Sequence, residues 1–343
     1  MKTFEDLGRK VAQAWSSAGN DLAQFPQIAT AALTAFDYNL ALTELSDGVA
    51  KWMVQTDPLP EQINVHNTFG QPPVTVFHNG NFVVDLYFWT GFDTSVHSHG
   101  FRGAFKVLHG RSLEEIFTLT PKTQISPDVM ITEPQLPALT LLEPGEVRTI
   151  GPGQELSHRV IHLDSPTITL CVKTINEPQL FQWHYFTNGL AIQKRHVSPS
   201  LVKKIYYFQY LLGIDSQHAF NFVDQLIATL DRSTQVNLCE DLSGGTLDLG
   251  DEALHEVLDR IYRQHAEAEW FQLYEQATQQ QLGHLDFSSS NDALVRLTAH
   301  LVNTDRLNES EATTLLDRVA GHSLTRDEMK ELLRAVKALA TLA

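Results

Sequence analysis

The apolar positions along this chain change period twice. At the start they recur at helical spacing: Phe4, Leu7, Val11 and Trp15 share one face of a helix, with Thr3 as a candidate N-cap. A second helix is expected over about residues 26–36 and a third over about 40–54. DPLPEQ (57–62) closes this part, because two prolines in three residues do not continue a helix. From about residue 63 to 187 the runs are short and β-rich: NFVVDLYFW, GAFKVLHG, LEEIFTL, PALTLLEPGEVRTI, HRVIHL and PTITLCVKT. Turns separate them at NG (79–80), TGFD (90–93), PG (144–145) and GPG (151–153). With no helical runs between the strands, an antiparallel sandwich or barrel is predicted rather than a βαβ fold.

After about residue 198 the helical period returns. Leu201, Ile205, Phe208 and Leu212 form one stripe, and Leu294, Leu297 and Leu301 another. A last helix starts at Thr325 with Glu328 three residues on, a capping box, and carries Met329, Leu332, Val336 and Leu339 on one face. SGGTLDLGD (243–251) reads as a linker. The expected organisation is α+β: a helical segment over 1–56, a β-barrel over 57–197 and an all-helical domain over 198–343.

Composition narrows the function classes. At 343 residues, 43% apolar and 19% charged, the chain can bury a sizeable core. A net charge of −16 argues against nucleic acid or an anionic membrane as partner and favours a small molecule. Two cysteines, Cys171 and Cys239, build neither a disulfide framework nor a Cys-rich zinc site, and suit a reducing compartment. Glu5 and Asp6 interrupt the first residues, where a secretory signal would need an apolar run. No stretch approaches about 18 continuous apolar residues, so a cytoplasmic location is expected.

The chemistry sits in the β-region. In TSVHSHGFRGAFKVLHG (94–110), His97 and His99 are two apart and project to one side of a strand. Alone, such a pair is a metal clamp or simple packing. In GPGQELSHRVIHL (151–163), His158 and His162 are four apart and also share a face. A His-x-His on one strand and a single His on a facing strand is one way for a small barrel to bind one metal, and neutral imidazoles suit iron, zinc, copper or nickel.

Together these stretches resemble the two motifs of the cupin superfamily, whose fold is a double-stranded β-helix or jelly-roll barrel. Gly91, His97, His99 and Gly110 fit the first motif, with Gly103 where a Glu is usual. Gly145, Pro152 and His158 are similar to the second, with His162 where an Asn is usual. Within cupins, NFVVDLYFWTGFDTSVHSH and HRV (158–160) resemble the thiol dioxygenases, the cysteine dioxygenase-like branch. The resemblance spans roughly residues 75–175 and implies His97, His99 and His158 as ligands of Fe(II), with a small molecule and O2 as co-substrates. Three neutral ligands leave the full metal charge and several positions open. Zinc, nickel or manganese in isomerase or hydrolase chemistry, and a non-catalytic ligand sensor with a partner-binding helical half, are the alternatives.

The strand after the third ligand departs from that branch. Thr169, Cys171 and Lys173 stand where it carries Ser, His and Tyr, and QPPVTVFHNG lacks its arginine. Arg102, Arg159 and Lys173 are the candidates to receive a substrate anion, and His162 to orient a ligand or substrate. Tyr87 and Trp89 flank the metal strand, Cys171 reads as a buried apolar residue, and His109 as structural. Glu252-x-x-His255 has no second such pair in its helical region and reads as a surface feature. Homodimerisation is expected only by analogy with other cupins.

Overall fold

A computed structural model of the chain describes residues 1–63, 70, 73–91, 93–175, 177–194, 197–243, 247, 249–283, 290, 292–304 and 309–340. Three helices open it: α1 (Lys2–Ser17), α2 (Phe25–Thr34) and α3 (Leu42–Gln55). Phe4, Leu7, Val11 and Trp15 are all buried, as their spacing predicts. Trp15 meets Phe25 edge-on at 4.8 Å, and Phe25 lies 5.4 Å from Phe82 in the β-region. Burial of each such ring stabilises the fold by about 2–3 kcal/mol.

The strands follow: β1 (Val74–His78), β2 (Phe82–Trp89), β3 (Val96–His99), β4 (Gly103–His109), β5 (Ser112–Ser126) and β6 (Val129–Leu142). Then come β7 (Val147–Ile150), β8 (Gly153–His162), β9 (Thr167–Thr174), β10 (Gln182–Tyr185) and β11 (Leu190–Lys194). One antiparallel sheet runs β1-β2-β9-β4-β7, and the strands β10-β11-β6-β5-β8-β3 close on themselves. The arrangement is an α+β jelly roll between helical segments. Alternation decides what each face of the first sheet holds. Phe82, Val84 and Leu86 on β2, with Ile168, Leu170 and Val172 on β9, pack on the N-terminal helices. Tyr87, Trp89 and Cys171 turn the other way, toward Phe101, Phe105 and Leu156.

The hairpin β5–β6 is longer than the apolar pattern suggests, because the strand continues through PKTQIS. Register shifts, one of them between Pro121 and Thr123, let pairing continue past a residue with no N–H to give.

The C-terminal helices are α4 (Pro199–Leu212), α5 (Ser216–Ala228), α6 (Arg232–Ser243), α7 (Asp251–His265), α8 (Glu269–Gly283), α9 (Ala293–Thr304), α10 (Glu309–Ala320) and α11 (Arg326–Ala340). Leu201, Ile205 and Phe208 are buried as expected, but Leu211 replaces Leu212 as the fourth buried position of α4. The α11 capping box forms, with Thr325 N donating to Glu328 at 2.7 Å and Glu328 N to Thr325 Oγ1 at 3.3 Å. The expected linker over 243–251 includes residues 244–246 and 248, and the Leu339 side chain belongs to the same group, all outside the described residues. None of the described helices is long and apolar enough to cross a membrane.

This helical region is packed onto the β-strands. Val236, Trp270, Phe271 and Tyr274 share a core with Val129, Leu190 and Ile192. Leu297, Leu316 and Val319 share another with Leu113, Leu141 and Ile161. Arg296, 0% exposed, donates from Nη1 to the His162 carbonyl at 3.0 Å. His300 Nε2 donates to Glu115 Oε1 at 2.8 Å in the same buried layer.

Gly103 opens β4 between β7 and β9. A Cβ there would stand 1.9 Å from the Val172 carbonyl oxygen, so the close approach of two backbones requires glycine. Gly103→Ala is expected to lower stability by about 3 kcal/mol through overpacking, read from denaturant unfolding. An unchanged unfolding midpoint would show that the sheet yields at no cost.

Candidate metal centre

Strands β3 and β8 pair antiparallel with His97 directly opposite His158, and the register is irregular between His97 and His99. The result is one cluster. His97, His99 and His158 are buried, and each offers a ring nitrogen within 4.8 Å of the others. Their ring centroids lie 4.8 to 5.0 Å apart.

Hydrogen bonds fix two of the rings. His97 Nδ1 donates to the Ser95 carbonyl at 2.8 Å, and His158 Nδ1 donates to Glu114 Oε1 at 2.8 Å. A carbonyl and a carboxylate only accept, so both rings carry the proton on Nδ1. Glu114, itself 0% exposed, accepts from Arg148 Nε at 2.6 Å through its second oxygen. Burial alone would raise the Glu114 carboxyl, but the bonds from His158 and Arg148 outweigh it and hold it below its usual range. His99 Nδ1 is buried without a well-formed hydrogen bond, the Leu156 backbone being the hydrogen-bonding group nearest its ring. An orphaned buried nitrogen costs about 1–3 kcal/mol, a cost that bound metal at this cluster would justify. Burial, then the charge of neighbouring histidines, pushes His97 and His99 well below 6.5, so both are neutral donors at neutral pH. The residues present therefore fit a metal ion.

The walls are aromatic. Phe101 lies 5.1 Å from His99 and Phe105 6.3 Å from His158, ring centre to ring centre. Beside Phe101, Lys173 Nζ pairs with Asp85 at 2.7 Å, donates to the Tyr87 hydroxyl, and lies over the Tyr87 and Phe101 rings at 5.1 and 5.4 Å. Burial would lower the Lys173 ammonium, but Tyr87, Asp85 and Cys171 together raise it, so it stays charged. Burial pushes the Cys171 thiol up to about 12.

The sequence-predicted residues are placed as follows. The three expected ligands come together. His162 shares the inner face with His158, but its ring stacks on Trp89 at 4.7 Å and its Nδ1 meets Ser112 Oγ at 3.0 Å. It is not part of the metal-ligand cluster found among the described residues. Lys173 faces the interior with its charge committed to Asp85. Arg159 is one residue from His158, hence on the opposite face, and pairs with Asp93 near the surface. Gly103 places no carboxylate at the site, for the backbone reason given above. Glu252 and His255 stand exposed on α7.

Two contributors escaped the sequence reading. Glu114 lies in an apolar run, where an adjacent Glu pair was itself a signal, since a buried charge needs a partner. His184 on β10 is the register partner of His97 on its other side, and burial pushes its ring down to about 4.

No family model and no curated protein matches the chain. Among solved structures, a DMSP lyase chain is 20% identical over 29% of this chain and 41% of its own, with a TM-score of 0.19. Hydroquinone 1,2-dioxygenase from Sphingomonas sp., with 4-hydroxybenzoate bound, is 12% identical over 30% of this chain and 65% of its own (TM-score 0.23). An uncharacterized Klebsiella pneumoniae protein with a double-stranded β-helix domain is 13% identical over 43% of this chain and 95% of its own (TM-score 0.21). This chain thus spans less than two thirds of the lyase and the dioxygenase. Superpositions at these scores carry no functional weight.

Glu114→Gln keeps the shape but removes the charge behind His158. Metal affinity is expected to fall about 10- to 100-fold, read by competition with a chelator; an unchanged affinity would separate Glu114 from the centre. Acid sensitivity of the metal-free protein follows from the neutral histidines. Burial pushes His162 down to about 3, whereas the unfolded chain protonates near 6.5, so the unfolded state binds more protons as pH falls below that value. Stability therefore drops on acidification, by about 2 kcal/mol at pH 5 from His162 alone. Urea midpoints at pH 7 and pH 5 measure it, and equal midpoints would contradict it.

Proposed function

We propose that this chain is a metal-dependent enzyme of cupin type, a mononuclear non-haem Fe(II) dioxygenase acting on a small, metal-chelating substrate. The observation that carries the reading is a cluster of three buried imidazoles with no carboxylate among its donors. When bound, Fe(II) would supply redox chemistry toward O2 and an undiminished positive charge to draw a chelating substrate.

The chain's own residues supply the rest. Glu114 keeps the His158 proton on Nδ1 and raises the basicity of the opposite nitrogen. Phe101 and Phe105 set apolar rings against His99 and His158. The Tyr87 hydroxyl accepts from Lys173, and burial raises it so that it keeps its own proton. It is a hydrogen-bond donor rather than a base. The Cys171 thiol, pushed up to about 12, stays protonated and is no nucleophile at neutral pH. A thiol is one chelating class among those the site suits, and the Lys173–Asp85 pair in place of the branch's Ser, His and Tyr separates the chain from cysteine itself. The acidic net charge of −16 favours a small-molecule partner over nucleic acid.

The same three donors also suit zinc with a bound water. Anaerobic reconstitution with Fe(II), elemental analysis, and O2 uptake over a panel of thiols and other chelating small molecules decide between them. Stoichiometric iron and substrate-dependent O2 uptake are expected. Retention of zinc alone, or iron without uptake on any member of the panel, would sink the oxygenase reading.

A further inference from the structure

A cleft of about 340 Å³ opens beside the candidate centre, between the start of α2 and the β7–β8 turn. Gln27, Arg102, Thr149, Pro152, Glu155 and Leu156 are among its lining residues. Leu156 is shared with the interior: it also packs in the cluster of Tyr87, Phe101, Phe105 and Cys171 that walls the three histidines. Phe101, whose ring meets His99, directly precedes Arg102 in the chain. Leu156 thus belongs both to the cleft's lining and to the cluster around the centre.

Arg102 is built for one kind of ligand. Its Nε donates to Glu177 Oε2 at 2.8 Å, and Glu177, 7% exposed, is held in turn by the Thr174 hydroxyl. These contacts fix the guanidinium and leave its two terminal nitrogens with no partner among the described residues. That free edge matches a carboxylate in bidentate fashion. The neighbouring acids do not fill it. Asp21 lies within electrostatic reach of Arg102, but its oxygens accept from the Ala23 N–H and the Gln24 amide. Glu155 is exposed at the rim and folds back over Gly151.

We propose that the cleft is the outer half of the substrate site, where Arg102 holds the carboxylate of a small molecule whose other end reaches the three histidines past Leu156 and Phe101. The inference rests on the metal reading above for the inner end only. Three residues of extended chain separate Arg102 from His99, at most about 10 Å. The ligand class is therefore an elongated molecule with an anionic head and a metal-binding group at the far end.

The test uses adipate as the two-ended probe and butyrate as the one-ended control, titrated calorimetrically into metal-free and Co(II)-loaded protein. Adipate is expected to bind the loaded protein about tenfold more tightly than butyrate. Arg102→Gln removes the cation but leaves buried Glu177 unpaired, so Gln27→Glu is the deciding variant. Gln27 is exposed, and a carboxylate there repels the ligand's head while leaving the Arg102–Glu177 pair intact. Gln27→Glu is expected to weaken adipate about tenfold in the loaded protein, with metal content unchanged. Adipate binding within twofold of the parent would overturn the cleft, as would equal affinity for adipate and butyrate in the loaded protein. If no metal is retained, the metal reading fails alone: adipate binding to metal-free protein that Gln27→Glu weakens still supports the anion site, and its absence overturns the cleft as well.

Discussion

The pairing of β3 with β8, with His97 opposite His158, is the constraint on which the rest of the structure depends. Side chains alternate along a strand, so a slip of one residue would carry His158 to the other face and dissolve the cluster. Several contacts hold the register. Thr94 exchanges bonds with Val160, its N–H to the carbonyl at 2.9 Å and its hydroxyl accepting the Val160 N–H at 3.0 Å. On the far side of β8, β5 sets Ile116 against His158 and Ser112 against His162. On the far side of β3, β10 sets His184 against His97, and the Ser98 hydroxyl accepts the Trp183 N–H at 3.2 Å. The histidine strand is pinned from both edges before any ion is considered.

Alternation also explains how the helical half reaches the site. Glu114 and Glu115 are neighbours on β5 and face opposite ways. Glu114 turns inward to His158 and Arg148, while Glu115 turns outward to His300 on α9. Arg296, one helical turn before His300, grips the carbonyl of His162, whose ring points inward. Buried charges of this kind persist only when their partners are fixed, since stripping one partner leaves the other stranded. Helix α9 and the candidate centre thus lean on the same two strands from opposite sides. This favours a helical region that braces the barrel over one that hangs from it as a separate partner-binding module.

Much of this was legible in the sequence, and for identifiable reasons. Short β-rich runs between turn residues marked the strands, and helical stripes such as Phe4, Leu7, Val11 and Trp15 marked faces that are buried. The histidine spacings placed His97, His99 and His158 as candidates, and the structure brings them together. What the sequence did not show is parity and register. Arg159 sits at an odd step from His158, so alternation alone points it away, toward Asp93. Lys173 does lie on the inner face, but its neutralisation by Asp85 depends on β2–β9 register, which no local pattern encodes. Gly103 drew attention as a missing carboxylate, yet what requires glycine there is the Val172 carbonyl of a strand distant in sequence. Closure of the second set of strands through β10 and β11 was equally hidden, since both are too short to show a period.

Among the described residues, two of the buried polar groups around the centre differ in how far they satisfy themselves. On one wall, Asp85 takes bonds from Thr75 and Lys173, and Lys173 gives a further one to Tyr87. That network satisfies itself and has the form of a structural element. Beside it, His97 donates to the Ser95 carbonyl and His158 to Glu114, and burial keeps His97 and His99 uncharged. Folding tolerates unsatisfied buried donors or acceptors rarely, and where they converge a ligand is the economical explanation. Three imidazoles that come together with no carboxylate among the described donors would leave a bound ion its full charge.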